Sequence, residues 1–246
     1  MMMRCANRRR GARRVVMSAS LFVAAACSGT AADEASSSMS EATRTVASTD
    51  PDATSIDGTV FGTGDYPGYM VQAPSRWSAP DDHFVVKSGS GVLGLSVWDV
   101  DQVAVNPCHW RGNLVDPGPS VDDLVAALFA QEMRDATSPT DVTLGGYDGQ
   151  YLEWSVPSDM VVTGDADFEG CDVQPSNGHR DFVSWTGNGE GERYQQVAGQ
   201  VDMLWVLDVD GQRLVVDATY APDTTETDRT ELGRVVTSLR FVVPAA

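Results

Sequence analysis

The sequence predicts an α+β domain, a mostly antiparallel sheet of about seven to nine strands covered by two helices. Three observations predict it. Short apolar runs rich in Val, Trp and Tyr recur between residues 69 and 221. Two stretches carry apolar residues at helical spacing instead. Tight turn pairs such as Asp210-Gly211 join neighbouring runs, which makes the pairing antiparallel.

Strands are expected at 69–74, 83–88, 92–100, 141–147, 150–157, 181–187, 202–209 and 212–221. With Asp210-Gly211 as a two-residue turn, Leu207 faces Leu214, Trp205 faces Val216 and Met203 faces Ala218. Those six share one face, and Asp208 meets Arg213 on the other. A one-residue slip would destroy the match, so the register is well determined. For the hairpin around 141–157, a three-residue loop of Tyr147, Asp148 and Gly149 is expected. It pairs Leu144 with Leu152 and Val142 with Trp154, and it puts Gly149 in the left-handed region.

The first helix is expected over 120–133, with Ser120 as N-cap and Asp122 and Asp123 in the positive first turn. Val121, Leu124, Val125, Leu128 and Phe129 form its buried stripe. The second is expected within 223–241, with Leu232, Val235, Val236 and Leu239 on one side and a closing strand at 239–243.

The stretch "YMVQAPSRW" near the start and a terminal amphipathic helix running into "SLRF" resemble the PsbP-like fold. That resemblance covers the order of elements across residues 66–243. It implies an architecture found in small extracytoplasmic domains and in bacterial lipoproteins, and it implies no catalytic set.

Ahead of the domain, residues 1–26 read as an export signal. "MMMRCANRRRGARR" carries six arginines and no acid, and an apolar run of about a dozen residues follows. That run is too short to span a bilayer, which needs about 20 apolar residues. Ala24-Ala25-Ala26 before Cys27 resembles a lipobox, in which cleavage leaves Cys27 as a lipidated N-terminus. Ordinary cleavage after an A-x-A site is the alternative. Residues 27–57 are small, polar and acidic and read as a disordered tether, leaving 58–246 as one α+β domain.

Loss of residues 1–26 removes six arginines and no acid, so the formal charge moves from −18 to about −24. Such a chain repels nucleic acid and anionic headgroups, leaving the N-terminal lipid as its route to a membrane. One lysine among the 17 basic residues, with abundant Ala, Val, Gly and Asp, resembles the coding of a high-GC, actinobacterial-type genome.

Cys5 leaves with the signal and Cys27 is capped if lipidated. Cys108 and Cys171 then form an even pair that reads as a disulfide in an oxidising compartment. Zinc held by Cys108, His109, Cys171 and His179 is the rival, although adjacent Cys and His are badly placed to share one ion. Asp165, Asp167 and Glu169 resemble the opening of a calcium loop, but Ser176 stands where a bidentate Glu is needed. No cofactor motif occurs, nor any of the common hydrolase motifs. Trp77 and Trp110 lie beside Pro74, Pro80 and Pro107 and are the candidates for a partner surface, although a loop tryptophan more commonly caps the core. Trp154 and Trp205 are expected in the core. The function expected is non-catalytic binding of a protein or small molecule in the cell envelope. The alternatives are a hydrolase using carboxylates near 101–119 and 158–180, and an assembly factor by analogy of fold.

Overall fold

The computed structural model describes residues 59–62, 68–80, 84–189 and 191–242. The export signal, Cys27, the tether and His83 lie outside them. In chain order the strands begin with β1 (Thr59–Gly62), β2 (Gly68–Ala73), β3 (Trp77–Ser78), β4 (Phe84–Lys87), β5 (Leu93–Trp98), β6 (Val100–Ala104) and β7 (Leu114–Val115). Helix α1 (Val121–Phe129) precedes β8 (Asp135–Ala136), β9 (Thr140–Leu144), β10 (Tyr147–Ser155), β11 (Val162–Thr163), β12 (Asp167–Phe168) and β13 (Val183–Gly187). Then come β14 (Gly191–Tyr194), β15 (Val201–Val209), β16 (Gln212–Tyr220), α2 (Glu226–Thr237) and β17 (Arg240–Val242).

The architecture is α+β and antiparallel. An eight-stranded sheet runs β3-β4-β5-β16-β15-β10-β8, with β9 added on β10. Sheets of three strands (β1-β2-β17) and four strands (β14-β13-β6-β7) accompany it, with the small β11–β12 hairpin. Strands of two to four residues raise the number above the expected one. They are too short to show an apolar period and exist because a neighbour pairs with them.

The β15–β16 hairpin has the expected register, including Leu207↔Leu214, Trp205↔Val216, Met203↔Ala218 and Asp208↔Arg213. Its residues alternate between two cores. Leu207, Val209, Leu214, Val216 and Ala218 join β2, β5 and the α2 residues Leu232, Val235 and Val236. Leu204, Val206 and Val215 join Leu124, Val125 and Leu128 of α1 with Trp98, Trp154 and Trp185. Each core draws on more than ten buried side chains. At about 1.5–3 kcal/mol for each large one, the two sandwiching layers are the main stabilising term.

Burial on both faces corrects the second hairpin. The turn is Gly145-Gly146, with φ of 63° and 92°. Leu144 therefore pairs with Tyr147 and Val142 with Gly149, not with Leu152 and Trp154. Matching Leu to Leu assumed one buried face, whereas Leu152 and Trp154 belong to the α1 side and Leu144 to the α2 side. Gly149 does not take the left-handed conformation. It is required because a Cβ there would stand 2.0 Å from the Val206 carbonyl oxygen.

Two further boundaries move. The strand expected over 92–100 breaks at Asp99, so β5 stays in the large sheet and β6 crosses into the four-stranded one. Helix α1 ends at Phe129, because the Gln131 side chain turns inward to donate to the Ala104 (2.9 Å) and Ser184 (2.5 Å) carbonyls. Phe129, expected in the buried stripe, is 44% exposed. The Ser120 cap is present as a capping box with Asp123. Helix α2 starts at a Thr225 cap and is pinned by Lys87, which meets Asp228 at 2.7 Å and Glu231 at 2.8 Å. Within the described residues no helix is long and apolar enough to cross a membrane.

Candidate functional site

Cys108 and Cys171 form a disulfide with a Cα–Cα separation of 4.5 Å. Asn106 prepares one side of it, its Oδ1 accepting from the backbone N–H of Cys108 and of His109 at 3.0 Å each. The Asp172 N–H donates to the Cys108 carbonyl, and Arg111 N–H donates to Asp172 Oδ2 at 3.0 Å. Both cysteines are buried with Val156, Phe168 and Phe182. The two loops are thus stapled over a small core of their own. With both sulfurs oxidised, the zinc set Cys108, His109, Cys171 and His179 has no thiolate to offer. His109 instead faces Asp172 at 3.6 Å.

The acidic loop is likewise engaged within the protein. Asp167 accepts from Arg180 Nε at 2.8 Å and Nη2 at 2.6 Å, a bidentate pair across the β11–β12 region. That pair holds the Asp167 carboxyl well below the usual carboxylate range. Among the described residues no three His, Cys, Asp or Glu side chains gather as metal ligands, Asp165, Asp167 and Glu169 included.

The two tryptophan candidates for a partner surface are buried and follow the core-capping alternative. Trp77 is 6% exposed, packs in the α2 core and donates Nε1 to Glu231 Oε1 at 2.5 Å. Trp110 is 7% exposed and packs on Ala104 and Val183. The neighbouring prolines turn each loop back over the core, so these rings cap it.

The structure also contains a buried ionic group that periodicity alone did not reveal. Asp202 on β15 and Asp217 on β16 point to the α1 side of the sheet and are 0% exposed. Arg193 of β14 bridges them, Nε to Asp217 Oδ2 at 2.5 Å and Nη2 to Asp202 Oδ1 at 3.0 Å. Arg134, equally buried, lies over the rings of Trp154 (4.4 Å) and Phe182 (4.7 Å) and donates to Ser184 Oγ. Trp154 Nε1 and Gln200 Nε2 each donate to Asp202 at 2.9 Å. Two arginines face two aspartates, so the charges balance once both carboxyls are ionised. Burial nevertheless pushes the Asp217 carboxyl up to about 7, against the pull of Arg193. Removing one partner would leave an uncompensated buried charge, at about 3–5 kcal/mol. With no solvent access, these groups join the sheets and do not meet a ligand. The signal was present in the hairpin: Asp202 and Asp217 alternate with Leu204, Val206 and Val215 in a second inward row.

A shallow depression opens beside the N-terminus of α1, between Ser120, Asp122, Asp208 and Arg213. Its features are already used. Ser120 and Asp123 cap the helix, Asp208 accepts from Gly211 N–H at 2.7 Å, and Arg213 donates to the Gly118 and Val100 carbonyls.

The remaining feature is on the opposite face, where α2 packs on β2, β5 and β16. Register places Tyr151 beside Trp205, Glu153 beside Met203, and Ser155 beside Val201 and then Tyr220. Along one such row burial fades from Leu95 (1%) and Ala218 (0%) to half-buried Met203 and Glu153. Tyr151, Trp205 and Tyr220 are half-buried too. The Tyr151 and Trp205 rings lie 5.0 Å apart, inclined at 47°. Tyr151 donates its hydroxyl to Glu153 Oε2 at 3.2 Å. Arg229 of α2 lies 5.7 Å over the Tyr220 ring and pairs with Glu226 at 2.7 Å. Burial, then the charge of Glu153, raises both phenols, so they remain hydrogen-bond donors at neutral pH. The result is an aromatic and methionine shelf edged by Glu153, two phenols and the Arg229–Glu226 pair. Trp205, expected in the core, packs against it only partly buried, because the extent of α2 over the sheet is not written in β15.

No protein-family model matches the chain, and no curated protein matches it in sequence. Among solved structures, the solution structure of cyanobacterial PsbP (CyanoP) from Synechocystis sp. PCC 6803 is similar, at 16% identity and a TM-score of 0.36. The match covers 77% of this chain and 95% of that one. A likeness of that degree leaves the function to be read from this chain's own residues.

Proposed function

We propose that the chain is a non-catalytic binding domain, exported and held at the outer face of the cell envelope by a lipid on Cys27. The observation that carries the binding role is the half-buried shelf of Tyr151, Trp205, Met203 and Tyr220. Large apolar groups left partly wet on a rigid sheet are the usual makings of a ligand or partner surface. Export is supported by the basic and apolar leader and by the Cys108–Cys171 disulfide, which persists in oxidising compartments. A PsbP-like architecture belongs to the same reading. The hydrolase alternative needs a raised carboxyl near those loops; burial raises Asp181, beside the second of them, while Arg180 draws Asp167 down.

The test is metabolic labelling with an alkyne fatty acid in cells making the full chain or its Cys27→Ala variant. The wild-type chain is expected to carry label and sediment with membranes, and the variant to appear unlabelled in the medium. Wild-type protein retained unlabelled in the cytoplasm would overturn the localisation. Turnover of an ester, glycoside or peptide substrate that one substitution abolishes would overturn the non-catalytic role.

A further inference from the structure

We infer that the shelf receives a basic segment of a partner protein, an arginine-bearing stretch laid in extended form across β8, β10 and β15; the inference rests on the binding role proposed above. The chain's own residues show what this surface takes. At one end of it the Arg229 guanidinium lies 5.7 Å over the Tyr220 ring, with the Glu226 carboxylate at 2.7 Å. Trp205, Tyr151 and Glu153 repeat the rings and the carboxylate without the cation. Burial, then the charge of Glu153, raises the Tyr151 phenol, so Tyr151 donates as a neutral group and leaves that negative charge in place.

Register adds a second acid. Asp135 of β8 pairs with Ser155, which pairs with Val201 and then Tyr220, so exposed Asp135 belongs to the same face. Arg134, its neighbour in sequence, is buried in the ionic group on the α1 side. Among the described residues neither Glu153 nor Asp135 is in an ion pair. With Arg229 offset by Glu226, the face keeps two uncompensated negative charges.

Their spacing and surroundings select the occupant. Glu153 stands two residues from Ser155, which makes it the diagonal neighbour of Asp135, roughly 7–8 Å away at the backbone. Alternate residues of an extended chain are about 7 Å apart and point to one side, so two arginines in that pattern meet both acids. Their apolar stems can lie on Met203, and a guanidinium stacks on an indole or phenol ring. An anionic partner would face Glu153, Asp135 and Glu226 on a chain of formal charge −18. A neutral one would cover two carboxylates without supplying a counter-charge, which is unfavourable. A small cation meets only part of a row that crosses from β8 to β16, about 14 Å.

The experiment is titration of the purified chain with labelled synthetic peptides, read by fluorescence anisotropy and calorimetry. One peptide alternates arginine with threonine; its counterparts carry lysine, citrulline or glutamate in place of arginine, and agmatine is the small cation. Saturable binding of the arginine peptide is expected, with weaker binding of the lysine peptide and none of the other two. Glu153→Gln and Asp135→Asn should each weaken it about threefold to fivefold, and Trp205→Leu by about as much. Thermal melts should confirm that the variants fold. Asp101→Asn, on β6 of the four-stranded sheet, should leave binding unchanged. No saturable binding, equal binding of the citrulline peptide, or an equal loss with Asp101→Asn would overturn the inference. Agmatine binding as tightly as the peptide would overturn it in favour of a small cation. Hydroxyl-radical footprinting of Tyr151 and Trp205 in whole envelopes separates this from the broader reading. If the peptides fail but the rings are protected in envelopes relative to purified chain, the binding role stands and the basic segment falls. If the peptides fail and protection is absent, both fall.

Discussion

Gly149 and Asp217 show how much of this fold hangs on single atoms. A methyl group at Gly149 would meet the Val206 carbonyl oxygen at 2.0 Å, which is backbone and cannot swing aside. Gly149→Ala is therefore expected to cost about 3 kcal/mol by forcing β10 from β15. Differential scanning calorimetry should show a fall in Tm of about 6–12 °C. Asp217 has a signature in pH. Its folded carboxyl is raised to about 7 from an ordinary 3.8. Between those values the folded chain keeps a proton that the unfolded chain releases, so stability falls as pH rises through that window. Asp217→Asn is expected to flatten this part of the Tm-against-pH curve, and an unchanged slope would count against the assignment.

At the scale of elements, the question is what keeps α2 in place at the edge of the shelf. Its apolar stripe is buried, and Lys87 adds a two-carboxylate clamp from β4 with its side chain 6% exposed. Lys87→Met leaves Asp228 and Glu231 without their cation, but both are more than 20% exposed and can recover water. The cost expected is about 2 kcal/mol, less than for a wholly buried pair. Hydrogen exchange should show faster exchange across Glu226–Thr237 while β15 and β16 remain protected. Uniform acceleration throughout the chain would instead mean that α2 does not open on its own.

Across the whole molecule, the disulfide acts on the unfolded chain. It joins residues 63 apart in sequence, for which the chain-entropy estimate is roughly 4 kcal/mol. The double variant Cys108→Ser, Cys171→Ser should lower the urea midpoint by an amount equivalent to about 2–4 kcal/mol. Binding at the shelf should persist wherever that variant remains folded, because Trp205 and Tyr220 pack against the α2 core and Tyr151 against Trp205, whereas the cysteines belong to a separate core. Loss of binding in the folded variant would tie the staple to the site.

Local chemistry settled a good deal before folding is considered. The Ser120 cap, the stripe Leu232, Val235, Val236 and Leu239, the Asp210-Gly211 register and the pairing of two cysteines all follow from short-range geometry or from elimination. Each depends on residues within a few positions, or on a chemistry with few partners available. Assembly decided the rest. Whether a strand is buried on one face or two depends on what packs over it. The Gly145-Gly146 turn, the ionic group around Asp202 and Asp217, and the burial of Trp77 and Trp110 therefore became visible only with both layers in place. The shelf depends most strongly on assembly. Tyr151, Glu153, Trp205 and Tyr220 lie on three strands, and they form one surface because α2 packs over β5 and β16 and leaves the face of β10 and β15 half-open.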